Sequence, residues 1–345
     1  VLARDVLGRN VAYLTDDEIG KVGRRATAES IRDHLKSFPS VAHLTKAAEM
    51  GRPMAKWYQA ASLTIDGEIF AQAEHSAPGN DYREWLLSVS ALIDSLRDSL
   101  SNTDRLGVAL PAIIHDGAVS FSPYSVLGTA NIRRDLQSAL GMPVSIFGIG
   151  GCLVADACRM GAAKDANLAV GMWIGNSCHG GLALAGRLIT GAHGAAANWP
   201  HLQLPAPLPQ ELDGRKCWCG RSGCLETFLS VSGLEGDYER VTGEWRDAGE
   251  IAAAAVNGDI VADSIIQAFE DRLGRATATL ISLIDPDVIV LGGAGLQLDR
   301  LQERIPRKWP GYVQIDRSAT RLATAKGGVT PVIRGAAFLA AEDTG

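Results

Sequence analysis

Apolar and polar positions alternate along the chain in two spacings, a period of two that is typical of strands and a period of three to four that is typical of helices. The segment "AKWYQAASLTIDGEIFAQAEH" predicts a hairpin of two strands that turns at Asp66-Gly67. Two amphipathic helices follow, over "DYREWLLSVSALIDSLRDSL" and over "NIRRDLQSALGMP", and Gly141 marks the end of the second. The apolar runs "RLGVALP" and "VSIFGIG" predict buried strands that come after the first and the second helix.

A second set of elements begins near residue 167. Two apolar strands, "LAVGMWIG" and "GLALAGRLI", are predicted on either side of a polar turn "NSCHG". "DPDVIVLGGAG" predicts a strand that runs into a glycine turn, "LQLDRLQERI" the next helix, and "GVTPVIRGAAFLAAE" a closing strand and helix. Apolar residues at steps of three and four predict a long helix with one face in a core; they are Ile266, Phe269, Leu273, Ala276, Leu280 and Ile284.

Strands and helices therefore interleave twice, which predicts two α/β domains that face each other across a cleft. We place the first domain at residues 41–145 and the second at 146–345. Residues 1–40 form a charged, helical extension in this interpretation, with Thr27 as the N-cap of a helix over "TAESIRDHLKSF".

The composition narrows the functional classes. The chain has 345 residues, of which 46% are hydrophobic, with a net charge of −6 and six cysteines. Such a charge does not favour binding to nucleic acid or to a membrane surface. No run has the length of a membrane span, and the first residues do not resemble a signal peptide. Apolar surroundings of Cys152 and Cys158 suit reduced thiols, so we expect a cytoplasmic protein.

Three cysteines are clustered in "CWCGRSGCLE", at Cys217, Cys219 and Cys224. A closed structural zinc site needs four nitrogen or sulfur ligands, and His201 in "NWPHLQLP" is the best candidate for the fourth. The alternative is a set of free thiols or a redox pair, although Cys-x-Cys is not the thioredoxin spacing. Glu226 is not a ligand in this interpretation, and the metal loop holds it in a fixed position.

"HLQLP…CWCGRSGCLETFLS" resembles the zinc loop of the ROK family of sugar kinases and sugar-responsive repressors, and bacterial ROK fructokinases are the most similar members. The likeness continues through "LISLIDPDVIVLGGAGLQLDRL" and "VIRGAAFLA". It implies a two-domain, actin-like ATPase fold (ribonuclease H-like), a structural zinc in the loop 201–226, and a homodimer. It also places Gly292, Gly293 and Gly295 beside a bound adenosine. A strand-to-helix turn that needs glycine for close packing explains them equally well.

The same resemblance exposes departures at the positions of kinase chemistry. The family's catalytic aspartate falls on Ile149, which cannot accept a proton. Its phosphate loop in the first hairpin falls on the segment around Gly51-Arg52-Pro53, and its sugar-binding glutamate on Asn198. Three further segments also differ from the family; they are Gly175-Asn176-Ser177, Ala109-Leu110-Pro111-Ala112 and "SPYSVLG".

Four hypotheses follow. The first, which we favour, is a pseudokinase that binds a sugar or another small polar ligand through residues around the cleft, with ATP and magnesium binding left open. The candidate residues are Asn198, Glu226, His179, His193 and Asn176. The second is a different enzyme that uses His179 or His193, predicted in loops, as acid or base. The third is a repressor, although residues 1–57 carry only ten basic against seven acidic residues. The fourth is an active kinase whose base is Asp116, Asp156 or Glu226.

Overall fold

The protein is described here by a computed structural model. It covers residues 57–64, 66–76, 81–96, 105–128, 131–293, 298–314 and 319–343. The predicted extension 1–40 with its Thr27 cap, the segment around Gly51-Arg52-Pro53, and Gly295 lie outside these residues. The domain boundaries at 41–145 and 146–345 remain a prediction.

The first hairpin has the predicted form. Strands β1 (Trp57–Leu63) and β2 (Ile69–Ser76) pair antiparallel. Gly67 in the connecting turn has φ +84°, a left-handed conformation that glycine adopts without strain. The Asp66-Gly67 turn is thus confirmed.

The next elements form a small parallel pair with a helix between its strands. Helix α1 (Tyr82–Asp94) leads to β3 (Leu106–Leu110), which runs parallel to β6 (Val144–Gly148). Helix α2 (Ile132–Leu140) connects them. Gly141 ends α2 in the left-handed conformation, at φ 66°, as its sequence predicted.

A short hairpin that the sequence pattern did not reveal lies between β3 and α2. Strands β4 (Ile113–His115) and β5 (Ala118–Phe121) pair antiparallel across a turn at Asp116-Gly117. Three- and four-residue strands are too short for a clear period of two, which explains why we missed them.

A five-stranded mixed sheet in the order β11-β10-β7-β8-β9 forms the second half of the structure. Strand β10 runs parallel to β7 and β11, whereas β8 is antiparallel to β7 and β9. The new strands are β7 (Leu168–Ile174), β8 (Cys178–Leu184), β9 (Arg187–Ile189), β10 (Val288–Gly293) and β11 (Arg321–Thr324).

Three details of this sheet correct the sequence prediction. The turn after β7 spans only residues 175–177, because Cys178 already pairs with Ile174. The predicted strand "GLALAGRLI" is two strands, since Ala185 and Gly186 both have positive φ and reverse the chain. The last strand is β11, upstream of "GVTPVIRG", where a helix begins at Thr330.

Seven further α-helices lie in the residues that the structure describes. They are α3 (Ile149–Met160), α4 (Glu226–Leu229), α5 (Val231–Thr242), α6 (Ala248–Val256), α7 (Ile260–Ile284), α8 (Leu298–Arg304) and α9 (Thr330–Glu342). Helix α7 is the predicted long helix, and five of its six predicted core residues are buried while Ile284 is partly buried.

Helices α3 and α9 cross in direct backbone contact. A Cβ atom added at Gly335 of α9 would lie 1.8 Å from the carbonyl oxygen of Cys152 in α3. Beside the crossing, the guanidinium of Arg334 donates two hydrogen bonds of 2.7 and 3.0 Å to the carboxylate of Asp156. A Cβ atom at Gly107 of β3 would lie 2.1 Å from the carbonyl oxygen of Ala336. Helix α9 therefore packs on both β3 and α3.

In the described residues, no single helix has the length and hydropathy of a membrane span. Two consecutive helices are long and apolar enough only when they are counted together, Ala248–Val256 and Ile260–Ile284, and the chain bends by 113° between them.

Candidate metal and ligand site

The structure brings together the four side chains that the sequence predicted as metal ligands. The donor atoms of His201, Cys217, Cys219 and Cys224 all lie within 4.8 Å of one another. Nδ1 of His201 lies 3.6 Å from Sγ of Cys217. Ligands of a tetrahedral zinc–thiolate centre are separated by roughly 3.8 Å, given Zn–S bonds of about 2.3 Å. Three thiols and one imidazole in this arrangement fit a closed zinc site.

Local backbone structure explains how the sequence converges on this point. Gly220 and Gly223 have φ +88° and +70°, conformations that a side chain would strain. The amide of Gly223 donates to the carbonyl of Arg215 at 2.8 Å, and the amide of Leu225 donates to that of Leu202 at 2.9 Å. The loop is thus closed on itself and joined to the segment that carries His201.

Glu226 follows the metal loop directly and begins helix α4. Its carboxylate is 4% exposed, and its Oε2 accepts a hydrogen bond of 3.0 Å from the backbone amide of Cys178. The metal loop therefore fixes Glu226 against the start of β8, which agrees with the role that the sequence suggested.

Beside Glu226, a serine from the turn after β7 lies next to a histidine at the start of β8. Oγ of Ser177 lies 2.9 Å from Nε2 of His179. Burial, with a smaller contribution from His201, lowers the pKa of His179 to about 3, so this imidazole is neutral at physiological pH. The prediction that His179 lies in a loop was wrong, because it pairs with Trp173 inside β8.

Tyr124 belongs to the same cluster, although it lies more than 50 residues before its other members in the sequence. Burial holds the pKa of its phenol above the usual value, while Ser177, which lowers this pKa, and the carboxylate of Glu226, which raises it, have smaller effects. The sequence analysis marked its segment "SPYSVLG" as one that differs from the family, but it did not single out this tyrosine as part of a site. We call Tyr124, Ser177, His179 and Glu226 the polar cluster.

The position that the resemblance assigned to a catalytic base is apolar in structure as well. Ile149 is the first residue of α3, directly after β6. It is half-buried and packs against a cluster that contains Leu153, Trp173 and Val332. The strand-to-helix junction therefore presents a hydrocarbon side chain at this position.

Three carboxylates were considered as the catalytic base in place of Ile149, and two of them interact with other residues. Asp156 is buried, and its carboxylate accepts hydrogen bonds from Nε and Nη2 of Arg334. Asp116 lies in the β4–β5 turn with an 89% exposed side chain, 3.4 Å from His115. The third is Glu226 in the polar cluster.

Two other candidate residues lie on the segment between β9 and the first metal ligand. Asn198 precedes the short helix Trp199–His201, which carries one metal ligand, and its own side chain makes no capping hydrogen bond. His193 is exposed, and its ring centre lies 6.1 Å from that of His115.

Gly292 and Gly293 form the buried end of β10. A Cβ atom at Gly293 would lie 2.1 Å from the carbonyl oxygen of Ile174, and one at Gly292 would lie 2.8 Å from the Leu153 side chain. Close packing alone therefore accounts for both glycines, and their contact with a nucleotide remains a prediction.

A sequence profile of the ROK family matches residues 51–343. The chain belongs to the ROK family. An N-acetyl-D-glucosamine kinase of Vibrio atlanticus (strain LGP32) is 28% identical over 268 residues, which cover 76% of this chain and 89% of the kinase.

Solved ROK structures have the same fold. A ROK family glucokinase from Streptomyces griseus, in complex with glucose and AMPPNP, superposes with a TM-score of 0.73 at 21% identity, over 84% of this chain and 97% of the glucokinase. A ROK family transcriptional regulator, a homologue of the E. coli MLC protein, superposes with a TM-score of 0.70 at 20% identity, over 94% of this chain and 91% of the regulator. The α/β, actin-like fold that the resemblance implied is thus confirmed.

Proposed function

We propose that this ROK protein is a sugar-kinase homologue that no longer transfers phosphate and instead binds a sugar or a similar small polar ligand. The observation that carries this proposal is the side chain at position 149. An isoleucine packed among apolar residues stands where a proton acceptor is required, and loss of a general base typically slows a reaction by roughly 10²–10⁴-fold.

The surrounding carboxylates support the same proposal. Asp156 is bound by Arg334, and Asp116 lies in the β4–β5 turn with an 89% exposed side chain. Glu226 remains, and a buried carboxylate beside a serine and a neutral histidine suits binding of hydroxyl groups. The ligand class that we propose is a neutral hexose or N-acetylhexosamine, because the relative from Vibrio is named for such a sugar.

We further propose that His201, Cys217, Cys219 and Cys224 hold a structural zinc ion. Zinc supplies no chemistry to a reaction in this role. It fixes the loop from which Glu226 emerges, and its binding free energy adds to the stability of the fold. A homodimer, which the resemblance implies, is part of the proposal, and light scattering of the purified protein tests it.

The test of the proposed function is ATP turnover. We expect no ADP release above the rate without sugar when the zinc-loaded protein is incubated with Mg-ATP and glucose, fructose or N-acetylglucosamine. Titration calorimetry of the same sugars should show binding. Sugar-dependent turnover at rates typical of enzymes, about 1 s⁻¹ or more, would overturn the proposal.

A second candidate function is transcriptional regulation. The superposition on the ROK regulator covers 94% of this chain, whereas that on the glucokinase covers 84%, so the likeness to the regulator reaches further along the sequence. DNA binding would depend steeply on salt concentration. Selection from a random DNA library at low salt, followed by a salt titration, tests this candidate.

A further inference from the structure

The four side chains of the metal cluster differ in how far solvent reaches them. His201 and Cys217 are each 6% exposed, and Cys224 is completely buried. Cys219 is half-buried. A reagent in solution therefore reaches the sulfur of Cys219 more readily than the sulfur of either other cysteine.

Cys219 lies at the tip of a small hairpin in the metal loop. Residues 218–220 form a turn between Lys216 and Ser222, which pair in an antiparallel bridge. Nζ of Lys216 also donates a hydrogen bond of 3.0 Å to Oγ of Ser222. The turn is the part of such a hairpin that can change conformation while the bridge stays paired.

Cys224 is anchored on the other side of the loop. It pairs with Gln203 in an antiparallel bridge, and its carbonyl accepts hydrogen bonds from the amide and the hydroxyl of Thr227, at 2.9 and 2.8 Å. Its sulfur lies within 4.8 Å of the sulfur of Cys219. Because a disulfide bond is about 2.05 Å long, the two sulfurs need to approach each other by less than about 3 Å.

Cys217 is a less suitable disulfide partner for Cys219. One residue separates these two cysteines, and a disulfide across a single residue closes a tight, strained ring. Four residues separate Cys219 from Cys224, and two of them are glycines, which give the connecting backbone more freedom.

We propose that Cys219 is an oxidation site for hydroperoxides and that Cys224 completes the reaction as its disulfide partner. With hydrogen peroxide, the thiolate of Cys219 attacks one oxygen, so that an S–O bond forms, the O–O bond breaks and hydroxide leaves. The thiolate of Cys224 then attacks the sulfur of this sulfenic acid. The S–S bond forms, the S–O bond breaks and a second hydroxide leaves, so two thiolates are oxidised and one peroxide is reduced.

The disulfide removes two of the four donors that hold zinc in the proposal above. Oxidation should therefore release the ion and lower the stability of the fold. In this respect the inference rests on the proposed zinc site, whereas formation of the disulfide does not.

The three cysteines outside the metal cluster should react more slowly. Cys152 and Cys178 are 0% and 3% exposed. Cys158 is half-buried like Cys219, but burial raises its pKa, which favours the less reactive thiol form. Cys158 is thus a control for exposure alone.

Peptide mapping of the oxidised full chain tests the inference. The reduced, zinc-loaded protein is treated with hydrogen peroxide in the presence of a metallochromic dye, alkylated and digested with trypsin. Cleavage after Lys216 and Arg221 separates Cys217 and Cys219 from Cys224. We expect about one zinc ion released for each pair of disulfide-linked peptides, with fragmentation that places the link at Cys219. Dithiothreitol and added zinc should restore the original melting temperature.

Two variants form a matched pair, since each removes one thiol from the same cluster. Cys217→Ser should still form the linked peptides, whereas Cys219→Ser should consume peroxide at least about tenfold more slowly. Cys158→Ser should oxidise and release zinc as the wild-type protein does. If either cluster variant does not fold, as judged by its melting curve, the wild-type peptide map decides.

The inference is overturned if the link lies at Cys217, if Cys217 and Cys219 are joined within one tryptic peptide, or if Cys158 is oxidised first. It is also overturned if excess peroxide leaves all three cluster thiols reduced. Failure of the zinc proposal has a different result: a protein that binds no zinc but forms the disulfide between Cys219 and Cys224 would contradict the structural metal alone.

Discussion

At the scale of single residues, position 149 shows how a sequence can predict the location of a site without its content. The apolar run "VSIFGIG" predicted a strand here, and β6 ends at Gly148, so that α3 begins at Ile149. The side chain there packs against Trp173 and Val332, which are distant in sequence, and this apolar environment was visible only in the fold.

Restoring a carboxylate at this position should not restore a kinase. We expect Ile149→Asp to show no sugar-dependent ATP turnover. It should also lose about 1–3 kcal/mol of stability, because a polar group enters an apolar cluster that offers it no hydrogen-bonding partner. Chemical denaturation and an ADP-release assay measure both quantities. Ile149→Val is the control and should lose less than about 1.5 kcal/mol. Turnover by Ile149→Asp would contradict the interpretation that the site lacks the family's phosphate loop as well as its catalytic base.

The cysteines offer a second test at this scale. We expect Cys219→Ser to reduce the zinc content from about one ion per chain and to lower the melting temperature, because a structural metal contributes directly to folding free energy. Elemental analysis and thermal melting measure these changes. Cys158→Ser, a half-buried cysteine on α3 outside the metal cluster, should keep its zinc. An unchanged zinc content in Cys219→Ser would show that this thiol is not a ligand.

At the scale of elements, buried arginines on α7 bind acidic residues on the loop before Cys217 and on α5. Arg272 donates to Glu211 at 2.7 Å and to Asp237 at 2.5 Å, and Arg275 donates to Glu211 at 2.8 and 2.9 Å. The apolar period of α7 was predicted from sequence. These arginines were not, because their partners lie on the loop before Cys217 and on α5, more than thirty residues away.

Removal of one charge from this network should destabilise the protein in a pH-dependent way. Burial alone would raise the pKa of Glu211, but Arg275 and Arg272 lower it to about 2. Its contribution is therefore complete above the unfolded-state pKa of about 4.3 and is lost as the pH falls toward 2.

We expect Glu211→Gln to lose about 3 kcal/mol at pH 7 and progressively less below about pH 4. Urea titrations from pH 7 downward measure the difference from the wild-type protein. Glu303→Gln, which breaks the exposed pair with Arg307, should change stability by less than about 1 kcal/mol at any pH. A loss in Glu211→Gln that does not diminish on acidification would contradict the charged state assigned to Glu211.

At the scale of the whole molecule, the alternation of strands and helices was sufficient to predict an α/β fold, and the zinc-loop residues to predict its family. The predicted strand boundaries were wrong where the backbone conformation, and not the apolar pattern, ends a strand. Ala185 takes a positive φ that its type does not suggest, and it splits one predicted strand into β8 and β9. The polar cluster was predicted in part: His179 and Glu226 were candidate residues, whereas Ser177 and Tyr124 were named only within segments that differ from the family.

The crossing of α3 and α9 provides a test at this scale. We expect Gly335→Ala to destabilise the protein by more than about 3 kcal/mol, because its Cβ atom would collide with the Cys152 carbonyl. Gly236→Ala is the matched control in α5, where an added Cβ meets nothing within 4 Å. It should raise stability by about 0.5–1 kcal/mol, since alanine favours the helix. Equal denaturation midpoints for the two variants would contradict the close crossing.

That crossing also has a mechanical consequence. Two helices whose backbones touch through a glycine cannot slide along each other, because a shift of one residue would bring the side chain of Arg334 or Ala336 against the Cys152 carbonyl. The Arg334–Asp156 ion pair beside the crossing and the close approach of Gly107 to Ala336 restrain rotation as well. The contact at Gly335 therefore locks α3 and α9 together, and a rearrangement of β3 against the five-stranded sheet must carry the two helices as one body.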